Sequence, residues 1–246
     1  DDASFKTSNF LPSSDAQVWI GEGAMAYHSG QDGVTNTFSS SFWYANQLGE
    51  IATSKPFAHS VFCRQTLTGG NYELLAHEEN YEPNPDFWTA RLWNILMGTV
   101  ALDVQGIDCC IPGSDTLLLH AFCARPSALA KEGDVSVLFI NIDRNNYFNA
   151  SISFAGLNEG SNNLHHEELS RSDFMLEAHT TPRLKSKKVR MNGDLLQLGN
   201  DGELPFFQPQ KKMQRDPILV PPLSLMFSVL HNISAPACFS AFGALT

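Results

Sequence analysis

Gln17-Val18-Trp19-Ile20-Gly21-Glu22-Gly23 is a short apolar strand that runs into a carboxylate held between two glycines. A polar loop with Ser29, Gly30 and Gly33 follows, and Thr37 to Leu48 then places Phe38, Phe42, Ala45 and Leu48 at helical spacing. Gly49 is expected just past the end of that helix, where a left-handed residue is favoured. The same alternation repeats. Ser60-Val61-Phe62-Cys63-Arg64-Gln65 reads as a second strand, Thr68-Gly69-Gly70-Asn71-Tyr72 as its loop, and Asn84-Pro85-Asp86 as the start of a second helix that buries Trp88, Leu92, Ile95 and Leu96. Strand and helix in alternation are the mark of βα units.

After about residue 100 the helical period disappears. Short runs separated by turn residues replace it: Thr116–Ala124, Val135–Ile142, Ala150–Phe154, Phe174–Glu177, Lys188–Met191, Leu195–Leu198 and Leu223–Leu230. That pattern predicts a β-sandwich. The expected organisation is therefore α/β over residues 1–100 and all-β over residues 101–246. Two βα units cannot close a sheet that is covered on both faces, so the first part is expected to be the end of a larger α/β domain.

Composition narrows the function. The chain has 246 residues, 43% hydrophobic and 17% charged, which suits a folded globule rather than a disordered chain. Lys plus Arg number 16 against 26 Asp plus Glu, and a net charge of −10 would repel a phosphate backbone, so nucleic acid is not an expected partner. A basic cluster, Arg183, Lys185, Lys187, Lys188 and Arg190, could grip an anionic polymer, but its spacing fits a solvated edge strand better. No apolar run is long enough to span a bilayer, and Asp1-Asp2-Ala3-Ser4 has neither the basic nor the apolar region of a secretory signal. Cys63, Cys109, Cys110, Cys123 and Cys238 form no CxxC pair, so neither a metal nor a cofactor is expected, and their odd number leaves at least one thiol free. The sequons at Asn149 and Asn232 fit a secreted, extracellular, lysosomal or vacuolar glycoprotein.

Glu22 is the strongest chemical candidate, because groups at the carboxyl ends of α/β-barrel strands carry catalysis. A carboxylate there can attack an anomeric carbon while a second carboxylic acid protonates the leaving oxygen. It could equally cap a loop or pair with Arg64 of the next strand. Arg64 and Gln65 could orient it or bind sugar hydroxyls, and the Gly69-Gly70-Asn71-Tyr72 loop offers N–H groups and a phenol at the same mouth. The loop lacks the following Lys-Ser/Thr of a phosphate-binding loop. No Gly-x-Ser-x-Gly elbow occurs, so a serine hydrolase is not expected, and His28, His59, His165 and His166 read as surface or packing residues.

Beyond these readings, Val18 to Gly23, Asn36 to Gly49, and above all Cys63-Arg64-Gln65-Thr66-Leu67-Thr68-Gly69-Gly70-Asn71-Tyr72 resemble the heparanases and heparanase-like β-glucuronidases of glycoside hydrolase family 79. Pro83 to Trp88 and Leu92 to Gly98 continue the likeness. The resemblance implies the C-terminal part of a (β/α)₈ TIM barrel followed by a β-sandwich, and retaining hydrolysis of β-glucuronides with Glu22 as nucleophile. It implies that Tyr27, Gln65, Gly70, Asn71 and Tyr72 line the glucuronic acid subsite of a glycan or glucuronide conjugate. It also implies a disulfide between Cys123 and Cys238, leaving Cys63, Cys109 and Cys110 as candidate free thiols. Where the family has consecutive glycines after the tyrosine, this chain has His28-Ser29-Gly30. The family's acid/base Glu, in an Asn-Glu-Pro context, has no counterpart in these residues, so the chain alone is expected to be inactive and to need an N-terminal part of the barrel, which would also supply a sandwich strand. The acidic barrel segment favours neutral or weakly charged glycans over heparan sulfate. A non-catalytic carbohydrate-binding or lapsed relative is the alternative.

Overall fold

A computed structural model of the chain describes residues 18–54, 59–105, 116–154 and 169–239. Strand β1 (Trp19–Gly23) pairs in parallel with β2 (Val61–Arg64), and helix α1 (Phe38–Thr53) connects them. A small hairpin, β3 (Leu75–Ala76) with β4 (Glu82–Pro83), leads to helix α2 (Pro85–Leu96). Asn84 caps α2 in an extended conformation and Pro85 takes its first position, where a missing N–H has no consequence.

Helix α1 is longer than its apolar period suggests, because it continues through Gly49 to Thr53. Gly49 is buried inside the helix, where the imidazole of His120 lies against the place a Cβ would occupy. This glycine therefore serves a close approach and not a helix end. His120 accepts that position with Nε2 at 3.1 Å from Asn46 Oδ1, and burial pushes its imidazole below the usual histidine range.

Helix α2 passes into strand β5 (Met97–Leu102) without a linker, so the β region starts at Met97. Strands β6 (Leu117–Ala124), β7 (Val135–Asn141), β8 (Phe148–Ala150), β9 (Ser170–Ala178), β10 (Val189–Met191), β11 (Asp194–Leu195), β12 (Gln210–Met213), β13 (Ile218–Val220) and β14 (Ser224–Leu230) follow. Eight of them build one antiparallel sheet in the order β11-β10-β9-β14-β7-β6-β5, with β12 beside β10 along the same edge of β9. Strands β8 and β13 form a separate two-stranded sheet. The run expected as a strand at Ala150–Phe154 enters β8 only at Ala150, and the rest is irregular. The basic cluster is also only partly strand: Arg183–Lys185 is a 3₁₀ turn, and β10 begins at Val189.

Both faces of the sheet are covered, which explains the nearly unbroken apolar run of β7. On one face Leu138 and Ile140 meet Phe38, Phe42, Trp88, Leu92 and Leu96 of the two helices. On the other, Val135, Val137 and Phe139 meet Phe148, Ile218 and Val220 of the small sheet. Ser136, the polar residue among them, donates to the Leu96 carbonyl at 2.7 Å and so ties the end of α2 to the sheet.

Cys123 of β6 is joined to Cys238 in the one-turn helix Pro236–Phe239, across 115 residues of chain. A bridge that closes so long a loop removes much of the unfolded chain's freedom, and its loss typically costs about 2–5 kcal/mol. Cys238→Ser is accordingly expected to lower the urea midpoint clearly; an unchanged midpoint would show that the bridge contributes nothing. No helix among the described residues is long and apolar enough to cross a membrane.

Candidate functional site

Glu22 is the fourth residue of β1, within the strand and not beyond it. The strand is less buried than its composition suggests: Trp19 is 60% exposed, and Glu22 is exposed as well. The register gives the reason. Ile20 pairs with Phe62 and Gly23 with Arg64, with a bulge between them, and the Phe62 and Arg64 side chains both reach tyrosine 44 of α1. Gly23, Phe62 and Arg64 therefore share the helix-facing side, and alternation puts Glu22 on the side that faces away from the helices. The Gln65 N–H donates to the Gly23 carbonyl at 2.9 Å, so Gln65 stands beside Glu22 at the carboxyl ends of two parallel strands.

Arg64 does not orient Glu22. Its Nη2 donates to Asp86 Oδ2 at 2.6 Å and to the Tyr72 carbonyl at 2.8 Å, and its guanidinium lies 5.4 Å from the Trp43 ring and 5.2 Å from the Tyr44 ring. Asp86 also accepts from the Ser40 hydroxyl at 3.0 Å. Burial pushes the Asp86 carboxyl up, against the opposing pull of Arg64 and Ser40, and burial also pushes the Tyr44 phenol up to about 12. This buried pair joins β2 to both helices.

The two loops after the strands are fastened to each other. Thr35 Oγ1 donates to the Asn71 carbonyl at 2.7 Å, and the Asn71 N–H donates to the Ser29 carbonyl at 2.7 Å. His28, Ser29 and Gly30 all have positive φ, at 52°, 64° and 75°. The loop thus takes the left-handed shape that glycines would ease, with two side chains bearing strain of about 1–2 kcal/mol each. Tyr27 at its start is 85% exposed and lies against His28, with ring centroids 4.1 Å apart. Asn71 is exposed and Gly70 and Gln65 are half-buried, but Tyr72 is buried with its ring below Gly30, so its phenol is not presented as openly as its loop position suggests.

A residue without a sequence signal shapes this mouth. Glu73 is buried, and its carboxylate accepts from the Gly69 N–H, from the His77 N–H at 3.0 Å and from His77 Nδ1 at 2.7 Å. Asn84 Nδ2 donates to the Glu73 carbonyl at 2.8 Å, which connects the loop to the start of α2. From the second half of the chain, Lys187 reaches Asp32 in the first loop at 3.0 Å and Glu79 in the turn of the β3–β4 hairpin at 3.3 Å, so this part of the basic cluster joins those two segments. Arg183 donates to the Pro222 carbonyl and Arg190 to His179 Nδ1. These side chains are spent on internal contacts and do not form a free cationic strip.

Comparison with known proteins gives the chain its family. The sequence model described as "Glycosyl hydrolase family 79, N-terminal domain" matches residues 6–49, which hold Glu22 and the loop after it. Baicalin-beta-D-glucuronidase of Scutellaria baicalensis is 36% identical over 233 residues, covering 94% of this chain and 38% of that protein. The chain belongs to glycoside hydrolase family 79. Heparanase-like protein 1 of Arabidopsis thaliana, 35% identical over 244 residues, is matched over 91% of this chain and 42% of its own length. This family 79 chain therefore spans about two fifths of the curated relatives it matches. Its mixed α/β fold is shared with glycoside hydrolases: a GH51 alpha-L-arabinofuranosidase from Thermotoga petrophila superposes with a TM-score of 0.56 at 8% identity, over 93% of this chain and 47% of that one.

Exposed Cys63 carries a free thiol, whereas Cys109, Cys110, His165 and His166 lie outside the described residues. His59 is half-buried beside β2. Asn149 is exposed in β8, and Asn232 is half-buried with its N–H bound to Asp134.

Proposed function

We propose that this family 79 chain is the C-terminal part of a retaining β-glucuronidase in which Glu22 is the nucleophile. The observation that carries the reading is the position of Glu22: an exposed carboxylate at the carboxyl end of a parallel strand, on the side away from the helices, next to Gln65 and below two fastened loops. In a closed α/β barrel that side is the interior, where catalytic groups stand. The exposed Trp19 fits the same picture, since a parallel strand is normally covered on both faces. The residues up to Leu96 are then the last βα units of the barrel, and the sheet region from Met97 onward is its β-sandwich companion.

In this reaction Glu22 attacks the anomeric carbon as an acid protonates the glycosidic oxygen, and water then releases the sugar from the glycosyl ester. The acid must come from outside these residues, which hold no Asn-Glu-Pro, so the chain alone is expected to be inactive. Gln65, Gly70 and Asn71 would hold the glucuronic acid, with Tyr27 closing over it. The segments after β1 and β2 carry Asp32, Glu73, Glu78, Glu79 and Glu82, which Lys187 offsets only in part, and the remaining negative charge favours neutral or weakly charged glycans and glucuronide conjugates over heparan sulfate. The two sequons fit a secreted, lysosomal or vacuolar setting. Of the two sequons Asn149 is the accessible one, so loss of a glycan is expected with Asn149→Gln.

Hydrolysis of an aryl β-glucuronide by the complete protein tests the reading; a folded protein that cleaves none would favour a lapsed, carbohydrate-binding relative. Glu73→Gln is a finer probe. It replaces a charge-assisted contact to Gly69 by a weaker one, a loss of about 1.5–3 kcal/mol in loop order. The expected result is a KM raised by at least about tenfold with a smaller change in kcat, because Glu73 shapes the sugar-binding loop without touching the reacting atoms.

A further inference from the structure

Far from Glu22 in the sequence and on other elements, three side chains form a hydrogen-bonded line. The Ser172 hydroxyl lies 2.8 Å from His231 Nε2, and His231 Nδ1 lies 2.9 Å from Asp134 Oδ2. Asp134 is almost fully buried just before β7, Ser172 is in β9, and His231 follows β14 directly. Burial pushes the Asp134 carboxyl up, but hydrogen bonds from His231 and from the Lys131 and Asn232 N–H groups outweigh it and hold the carboxyl below its ordinary range. A carboxylate cannot donate, so Nδ1 carries the proton in this bond. In the neutral ring Nε2 is then an acceptor, and the serine O–H points to it. Nucleophile, base and orienting carboxylate thus stand in the relation that activates a serine.

The line has access to space. Ser172, His231 and Asp134 all border a cavity of about 400 Å³, closed on one side by the Ser127–Lys131 turn. Lys211 borders the same cavity, and it sits directly opposite Ser172 in the β12–β9 register, so both side chains leave the sheet on one face. Of the two other cations at the cavity, Arg171 is committed to Asp173 and to the Met213, Asp216 and Pro217 carbonyls, and Lys131 stands in the turn at its edge. Lys211, opposite Ser172 on the same face, is therefore the cation best placed to face developing negative charge.

We propose that Ser172, His231 and Asp134 form a second site that transfers the acyl group of small carboxylic esters, such as O-acylated sugars, to water. His231 Nε2 takes the hydroxyl proton as Ser172 Oγ bonds to the ester carbonyl carbon, and the carbonyl electron pair moves onto its oxygen, towards Lys211. Collapse breaks the ester C–O bond, and the leaving alcohol takes the proton from His231. Water, deprotonated by the same nitrogen, attacks the acyl-serine; Oγ leaves with that proton and a carboxylic acid is released. Asp134 keeps the ring oriented and balances the imidazolium. The cavity volume suits an ester with a short acyl chain. A clamp between β7, β9 and β14 would use the same hydrogen bonds, but would not confer reactivity on Oγ.

That difference is the test. The complete protein is incubated with a fluorophosphonate probe, which reacts with activated serines, and peptides are analysed by mass spectrometry. An adduct on Ser172 is expected, lost in Ser172→Ala and slowed by at least about a hundredfold in His231→Gln and Asp134→Asn. Hydrolysis of p-nitrophenyl acetate should fall in parallel. Circular dichroism melting confirms that each variant is folded, and the wild-type labelling needs no variant at all. No adduct on Ser172 in the folded wild-type protein overturns the proposal, and so does an adduct that forms as fast in His231→Gln.

Discussion

Glu22→Gln in the complete protein is expected to lower kcat for an aryl β-glucuronide by at least about a thousandfold, equivalent to roughly 4 kcal/mol of transition-state stabilisation. The amide keeps the size of the carboxylate but is a poor nucleophile and does not offset positive charge at the anomeric carbon. Glu22 is exposed and has no ion pair with Arg64, so the substitution should leave stability within about 0.5 kcal/mol of the wild type. A large fall in kcat with an unchanged melting temperature is therefore the specific signature. Retained activity in a folded Glu22→Gln protein would remove Glu22 from the chemistry and direct attention to another carboxylate of the same mouth.

The largest expected stability effect belongs to Asp86. Replacing it with Ala should destabilise the protein by about 3–5 kcal/mol, because the buried Arg64 guanidinium would lose its carboxylate while remaining out of water. Asp86→Asn should do less harm, since its amide oxygen can still accept from Arg64 and Ser40. Urea unfolding of the three proteins measures the order directly. If Asp86→Ala unfolds at the wild-type midpoint, Arg64 is neutralised or solvated by another route and the pair does not hold β2 to the helices. The stacking of Arg64 on Trp43 and Tyr44 gives about 0.5–2 kcal/mol per cation–π contact and would not replace a full counter-charge.

These two residues show what local pattern can reveal. Glu22 was legible because a glycine-flanked carboxylate after an apolar run has a mechanical meaning at a strand end. Asp86 reads in sequence as an ordinary acidic residue in the first turn of a helix, which suits the helix dipole and predicts exposure. Its partner is 22 residues away on another element. Glu73 was hidden for a similar reason: one buried carboxylate that accepts several N–H groups has no periodic signature.

Strand boundaries divide in the same way. Val135 to Asn141 is apolar enough to be read directly, whereas Gln210-Lys211-Lys212-Met213 became a strand only because β9 offers it an open edge. Met97–Leu102 was missed because it follows α2 without turn residues. Gly49 was misread because a glycine near a helix end usually stops the helix, and only His120, packed from β6, gives it a different role.

By itself the sequence determined where the chain alternates strand with helix, where that alternation gives way to strands, and which carboxylate stands at a strand end, since periodicity and turn chemistry act over a few residues. Tertiary structure alone decided that Arg64 serves Asp86 and not Glu22, that Lys187 joins the loop after β1 to the β3–β4 turn, and that Asp134, Ser172 and His231 meet. Those outcomes depend on which elements pack together, and no spacing along a chain encodes a contact between residues that only folding brings within hydrogen-bonding distance.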